Sequence, residues 1–352
     1  MRFIVSRLQR FRDVVRRQLG VWLFDKKKVT NFDLVNTKSI LFIRNDAKLG
    51  DAIVSSGVLK KLKKYRPEIK IKVLTTSAMA PLFEEHFGVD QVVHLSKRPS
   101  YSEMKDVCEQ VGAVDVVVSL NLDMKMKDIY LLNKLKSKIN IGLDPDLKLI
   151  NLNISNDIGN MHYADKFNYI ATLLGITEPA ENYIVPLVPS SMKKAQLFLN
   201  ENNINEFVLI NPFGSGNERK LNKDSINKII SAIKERDKSL RVVLLSSPNT
   251  RELLESMSLT STTVHHFGQS ESIYDAIAMV EKAKLVVSVD TSIVHIASGM
   301  DKPQLSIYSS DEINYNNWHP NSSLAKVIAT TCSINNIESS SVSGIIKQQL
   351  ES

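Results

Sequence analysis

Cysteine is nearly absent. Cys108 and Cys332 are the only two in 352 residues. They are far apart and match no metal-ligand spacing, so they read as buried thiols of a cytosolic protein rather than as a disulfide framework. Long apolar runs are missing too. Nothing approaches the roughly 20 residues that span a bilayer, and no apolar core or small-residue cleavage site follows the basic N-terminus, so no secretory signal is expected. There is no G-x-G-x-x-G fingerprint, which argues against a dinucleotide redox enzyme, and no G-K-[ST] follows any glycine-rich turn. Neither a nucleophile elbow nor a His/Asp/Glu cluster at metal-ligand spacing is present. Outside one short segment there is also no excess of positive charge. Residues 1–28 carry six arginines and three lysines against Asp13 and Asp25, which is the whole net charge of +7; the other 324 residues hold 36 basic and 36 acidic side chains. A general nucleic-acid surface is therefore not expected.

That basic segment has a pattern of its own. At about 100° per residue, Ile4, Leu8, Phe11, Val15, Leu19 and Trp22 share one narrow face, and Arg2, Arg7, Arg10, Arg16 and Arg17 fall elsewhere. This predicts a basic amphipathic helix over residues 1–24, followed by Lys26-Lys27-Lys28. Such a helix can lie on an anionic membrane surface, can pack its apolar face on the protein body, or can be a disordered tail.

From Lys38 onward, strand-like and helical stretches alternate. Apolar runs at 39–43, 70–75, 90–94, 114–120 and 138–142 are separated by helical patterns, and a helix is expected over 162–174. Two prolines in "YIVPLVPSS" place a domain link near 186–205. A second cycle follows, with strands expected at 207–213, 241–247, 285–290 and 304–309 and a closing helix at the C-terminus. The rhythm is that of two doubly wound α/β domains with parallel sheets, at 38–190 and 205–335, preceded by residues 1–37 and followed by 336–352. Such sheets bind ligands beyond the carboxyl ends of their strands.

Three loops at such ends carry polar groups. Gly50 and Asp51 follow the first strand, where the helix dipole favours an ionised carboxylate; Asp51 is either an N-cap or a base facing the cleft. Gly214, Ser215 and Gly216, with Arg219 and Lys220, suit phosphate oxygens, or form an ordinary βα loop with a solvated basic pair. Asp290 ends a buried strand, Thr291 and Ser292 begin a helix, and His295 lies one turn on, either as a phosphate donor or as a core histidine.

Taken in order, these segments resemble glycosyltransferase family 9, the ADP-heptose:lipopolysaccharide heptosyltransferases. The family's apolar strand, Arg, L-G-D and helix with L-K are met by "ILFIRNDAKLGDAIVSSGVLKKLKK". Its central loop with a Lys is met by "VLINPFGSGNERKLN", and its D-[ST]-G-x-x-H-x-A followed by G-x-P by "DTSIVHIASGMDKP". "HYADKFNYIATLLGI" is similar to the family's H-x7-L-x3-L-G helix. The resemblance implies a GT-B fold, two Rossmann-like domains facing a cleft, the first for acceptor and the second for donor. It implies an inverting, metal-independent transfer without a cofactor, with Asp51 as general base. Ser215, Lys220, Asp290, Thr291, Ser292 and His295 would bind the donor diphosphate. Arg44, Gly50, Lys60 and Lys64 would stand on the acceptor side, although the basic stretch from Lys60 to Arg66 reads equally as a solvated helix face. The implied donor is ADP-heptose, and the implied acceptor is the lipid-linked core oligosaccharide of a Gram-negative envelope. The implied location is the inner face of the cytoplasmic membrane, touched through residues 1–28.

Four positions depart from the family pattern, three of them on the donor side. Gly57 replaces a Pro, Ser292 replaces a Gly, "YSSD" (308–311) replaces F-G-P-T, and Pro248-Asn249 stand where an acidic residue is common. A transferase of another nucleotide-activated sugar, a nucleotide-sugar 2-epimerase on a similar body, and a non-catalytic sugar or nucleotide binder are the alternatives.

Overall fold

The computed structural model describes residues 2–26, 31–45 and 48–351, with side chains from residue 11 onward. Lys27 and Lys28, and the side chains of Ile4 and Leu8, lie outside the described residues. The chain divides into two units, Met1–Glu181 and Asn182–Ser352.

The first unit begins with helix α1 (Arg2–Phe24). Its sheet is built from β1 (Ser39–Arg44), β2 (Lys70–Thr75), β3 (Gln91–His94), β4 (Ala113–Ser119), β5 (Lys136–Gly142) and the short β6 (Leu152–Asn153). Between and after them run α2 (Leu49–Tyr65), α3 (Tyr101–Val111), α4 (Met126–Lys134), α5 (Ser155–Ile158) and α6 (Tyr163–Leu173). The strands are parallel, in the order β3-β2-β1-β4-β5-β6. Ile40, Leu41 and Phe42 are all buried because helices cover both faces, which is why β1 reads as an unbroken apolar run rather than an alternating one. Leu41 and Val117 pack with Met104, Val107, Ile129 and Leu132 of α3 and α4, while Phe42 meets Phe167 of α6.

The second unit opens with α7 (Pro189–Glu201) and continues β7 (Phe207–Asn211), α8 (Lys223–Arg236), β8 (Arg241–Leu245), α9 (Arg251–Ser256), β9 (Val264–Phe267), α10 (Ile273–Lys282), β10 (Leu285–Val289), α11 (Ser292–Gly299), β11 (Gln304–Ser309), α12 (Glu312–Trp318), β12 (Ala325–Thr330) and α13 (Ser339–Glu351). Its parallel sheet runs β12-β11-β10-β7-β8-β9, the same winding as the first. Val208, Ile210, Val242 and Val287 pack against α8 and α13.

Three expectations change. The stretch near 186–205, expected to hold the domain link, holds α7 instead. Pro189 occupies its first turn, where the missing N–H costs nothing, so this proline starts a helix rather than breaking one. Cys332 is not buried: it is exposed, in a turn with φ +64°. The amphipathic stripe of α1 is not what packs on the body. Arg17, Gly20, Val21 and Phe24 face α4, while Phe11, Val15, Leu19 and Trp22 face solvent.

Candidate functional site

Each sheet reverses its direction of strand addition once, between β1 and β4 in the first unit and between β7 and β10 in the second. Loops leaving the two strands at such a point diverge and open a crevice at the carboxyl edge. Most of the residues singled out from sequence fall at these two points; Lys60 and Lys64 do not.

In the second unit the crevice is lined by a polar network. Asn211, the last residue of β7, donates from Nδ2 to Ser288 Oγ and Thr291 Oγ1, both at 3.0 Å. Thr291 is the N-cap of α11, its hydroxyl accepting from the Ile293 N–H at 3.2 Å. The first N–H groups of α11 are thereby aimed at the crevice with their positive dipole end, an arrangement that suits an anion. Asp290, largely buried, accepts from Asn314 Nδ2 of α12 at 2.8 Å and pairs with Arg219 Nη1 at 3.2 Å.

Arg219 reaches Asp290 because of the loop after β7. Gly214 N–H donates to the Arg219 carbonyl, Leu221 N–H donates to the Pro212 carbonyl, and Phe213 and Lys220 form an antiparallel bridge. This closes the loop back on the end of β10 and brings Arg219, in a short 3-10 turn, to Asp290. The hairpin fits closely: a Cβ on Gly214 would lie 2.8 Å from Arg219 Cβ, 3.0 Å from Thr291 Cγ2 and 3.2 Å from the Asp290 carbonyl oxygen. Ser215, at the tip of the turn, is exposed, and Ser292 is half-buried. His295 is buried with its ring 6.0 Å from that of Trp318, and its Nδ1 has no hydrogen-bond partner. Burial, aided by His319, pushes its pKa down to about 4, so the imidazole is neutral at pH 7 and offers a single N–H donor.

In the first unit, Asp51 is the third residue of α2. Lys48 holds the N-cap position and makes no side-chain cap bond, so the N-cap reading of Asp51 falls away and the carboxylate sits, half-buried, in the positive first turn. Gly50 is helical and not among the glycines with positive φ; its conformational freedom is not what this position uses. Arg44, at the end of β1, is buried with its guanidinium 5.0 Å from the centre of the Phe167 ring. Lys166, which sequence reading did not single out, is fully buried with its ammonium 4.4 Å from the Tyr163 ring; burial lowers its pKa. The Tyr163 and Phe167 rings, one turn apart on α6, are 6.4 Å from centre to centre. Thr75, the register partner of Arg44 on β2, keeps a buried hydroxyl without a partner.

Lys60 and Lys64 lie elsewhere. They are nine and thirteen residues past Asp51, about 14 and 20 Å along the helix, and both pair with Glu181. Their neighbours are engaged as well: Lys61 with Asn168 and the Glu178 carbonyl, Lys63 with Asp90. The residues that sequence reasoning missed differ in how visible they were. Asn211 and Ser288 are polar positions inside apolar strands and were findable. Lys166 and Asn314 come from helices distant in sequence and carry no local signal. No group of three or more His, Cys, Asp or Glu that would hold a metal occurs among the described residues.

The family model "Glycosyltransferase family 9 (heptosyltransferase)" matches residues 107–343. The putative lipopolysaccharide heptosyltransferase 4 of Escherichia coli (strain K12) is 23% identical over 336 residues, covering 92% of this chain and 91% of that protein. Among solved structures, the glycosyl transferase family 9 protein of Veillonella parvula DSM 2008 superposes with a TM-score of 0.75 at 18% identity, over 92% of this chain and 100% of that one. The E. coli heptosyltransferase WaaC with ADP superposes with a TM-score of 0.67 at 17% identity, over 88% and 99%.

Proposed function

The chain belongs to glycosyltransferase family 9, and from that premise we propose that it moves a heptose from ADP-heptose to a hydroxyl of the lipopolysaccharide inner core, with inversion at the anomeric carbon. The observation that carries this reading is the crevice between β7 and β10. A capped helix N-terminus, a hydroxyl–amide network and the Arg219 guanidinium meet at the carboxyl edge, where a diphosphate is held by N–H donors and a cation. A solved relative of the same fold carries ADP, which favours that nucleotide.

The reaction is a single displacement. The acceptor oxygen forms a bond to the anomeric carbon, the bond from that carbon to the diphosphate oxygen breaks, and ADP leaves with the electron pair. Asp51 takes the acceptor's proton. A carboxylate is a weak base toward an alcohol, so the proton moves late, once the sugar has oxocarbenium character. Arg219 and the N–H groups of α11 offset the charge that grows on the leaving diphosphate. Asp290 and Asn314 hold Arg219 in place for this, and Lys220, Ser215 and Ser292 complete the polar rim. His295 stays neutral and contributes at most an N–H. Arg44, at the end of β1, supplies positive charge on the acceptor side for the phosphate and acidic sugars, while Lys166 is fully enclosed and supports the fold behind it.

The departures at Pro248-Asn249 favour one variant of this reading, another nucleotide-linked sugar. The loop after β8 offers Ser246, bonded to His266 Nε2 at 2.8 Å, and no carboxylate at 248–249. A calorimetric screen of ADP-, UDP-, GDP- and CDP-linked sugars, followed by mass analysis of the product formed with an inner-core acceptor, separates the two, and epimer formed from donor alone would point to the epimerase. Asp51→Asn tests the base. It should lower kcat by roughly 10²–10⁴-fold with ADP affinity unchanged; unchanged transfer would remove Asp51 from the mechanism.

A further inference from the structure

Helix α1 is mounted on the first unit by one side only. Arg17 makes a bidentate pair with Asp144, at 2.6 and 2.9 Å, and donates to the Met124 carbonyl at 2.7 Å. Gly20 lies against Met126, whose Cα would be 2.9 Å from a Cβ at that position. The Phe24 ring meets Tyr130 edge-on at 5.1 Å, and its carbonyl accepts from Asn133. Contact therefore advances from residue 124 to 133 as α1 advances from 17 to 24, so α1 runs parallel to α4. Helix α4 begins at the carboxyl edge of the sheet, just after β4. The part of α1 before Arg17 thus reaches past that edge, and residues 11–16 are exposed on every side.

The face opposite the mount is apolar. Trp22 is 80% and Phe11 70% exposed, and Val15 and Leu19 continue the stripe between them. At about 100° per residue this stripe is centred roughly opposite the Arg17, Gly20, Val21 and Phe24 side. Arg12 and Arg16, both exposed, lie along one edge of it. The occupant is indicated by charge. Residues 1–28 hold the whole net charge of the chain, so a second copy would bring like charge against like, whereas an anionic bilayer brings the opposite sign. Among the described residues no helix is long and apolar enough to cross a membrane, which leaves a helix that lies on the surface.

We propose that α1 is a fixed interfacial anchor. Its stripe from Phe11 to Trp22 enters the headgroup region of an anionic bilayer, Arg12 and Arg16 meet lipid phosphates, and the Arg17–Asp144 clamp holds the first unit beside the surface with α4 behind the helix. The inference stands on α1 alone and holds whichever sugar is transferred.

The full-length protein is sedimented with vesicles of phosphatidylglycerol and phosphatidylethanolamine, and with vesicles of phosphatidylcholine alone. It should pellet with the first and stay largely in solution with the second, and its tryptophan emission should move to shorter wavelength on binding. The triple variant Phe11→Glu, Val15→Glu and Leu19→Glu keeps Trp22 as reporter. It should bind at least about tenfold more weakly and lose the emission shift, with its thermal midpoint little changed because these side chains are exposed. Substitution is the cleaner test, since truncation also strips the buried Asp144 of Arg17. Equal pelleting of the variant, or no pelleting of the wild type, overturns the proposal. So does a dimer in sedimentation equilibrium that the variant dissolves, which would assign the stripe to a second copy. Turnover of the variant with a water-soluble acceptor reports separately on the transfer reaction and should not change.

Discussion

Two neighbouring cations, Arg219 and Lys220, carry the sharpest question at the level of single residues. Both were legible as a basic pair after a strand, yet nothing local says which one serves the crevice. The structure pairs Arg219 with Asp290 at 3.2 Å, which is the ground for ranking it first. Arg219→Ala should weaken ADP binding by about 10–100-fold, the range for a charged hydrogen bond, while Lys220→Ala should cost several-fold less; calorimetric titration of the two variants checks the order. Asp290 and Thr291 were readable because they follow a buried apolar run directly, and Asp51 because it stands with Gly50 in the L-G-D at the start of the first helix. His295 makes a different kind of claim. Its folded pKa, near 4, lies below the unfolded value near 6.5. It therefore supports the fold fully above pH 6.5, and that support is lost as the pH falls from 6.5 toward 4. The loss should reach about 2 kcal/mol between pH 7 and 5. Urea unfolding at the two pH values should show it in the wild type, and His295→Gln should flatten the difference.

Among the elements, the hairpin of residues 212–221 depends on one missing methyl group. Gly214→Ala puts a carbon within 3.2 Å of three neighbours, two of them on the Asp290–Thr291 segment, and none is the end of a long side chain that can swing away. The expected cost is about 1–3 kcal/mol of stability together with weaker ADP binding, measured by thermal melting and calorimetry. The central strands were legible for a plain reason: β1, β4 and β10 are covered on both faces and read as apolar runs, unbroken in β1 and interrupted once each by Asp115 and Ser288 in the others. The edge strands β9 and β12 were not. Val264–Phe267 is interrupted by two histidines, and most of Ala325–Thr330 is half-buried, so neither carries a continuous apolar signal. Helix α7 was hidden by Pro189, since a proline at a helix start and a proline in a linker look alike in sequence. Helix α12, which delivers Asn314 to Asp290, is short and polar and gave no periodic pattern.

In the molecule as a whole, charge is segregated: a neutral body and a cationic leading helix. Two doubly wound α/β domains were readable from the alternation of strands and helices; the strand order, and with it the two points of reversal, was not. The mount of α1 was not, because the amphipathic wheel shows a single apolar stripe and gives no sign of a second side that packs on the body. What packs instead is a second, less apolar side built from an arginine, a glycine and two hydrophobic residues. With the stripe in a bilayer, encounters with a lipid-borne acceptor would happen by lateral diffusion in two dimensions. The crowding of acceptors per unit of membrane area, not their amount per litre, would then set the pace.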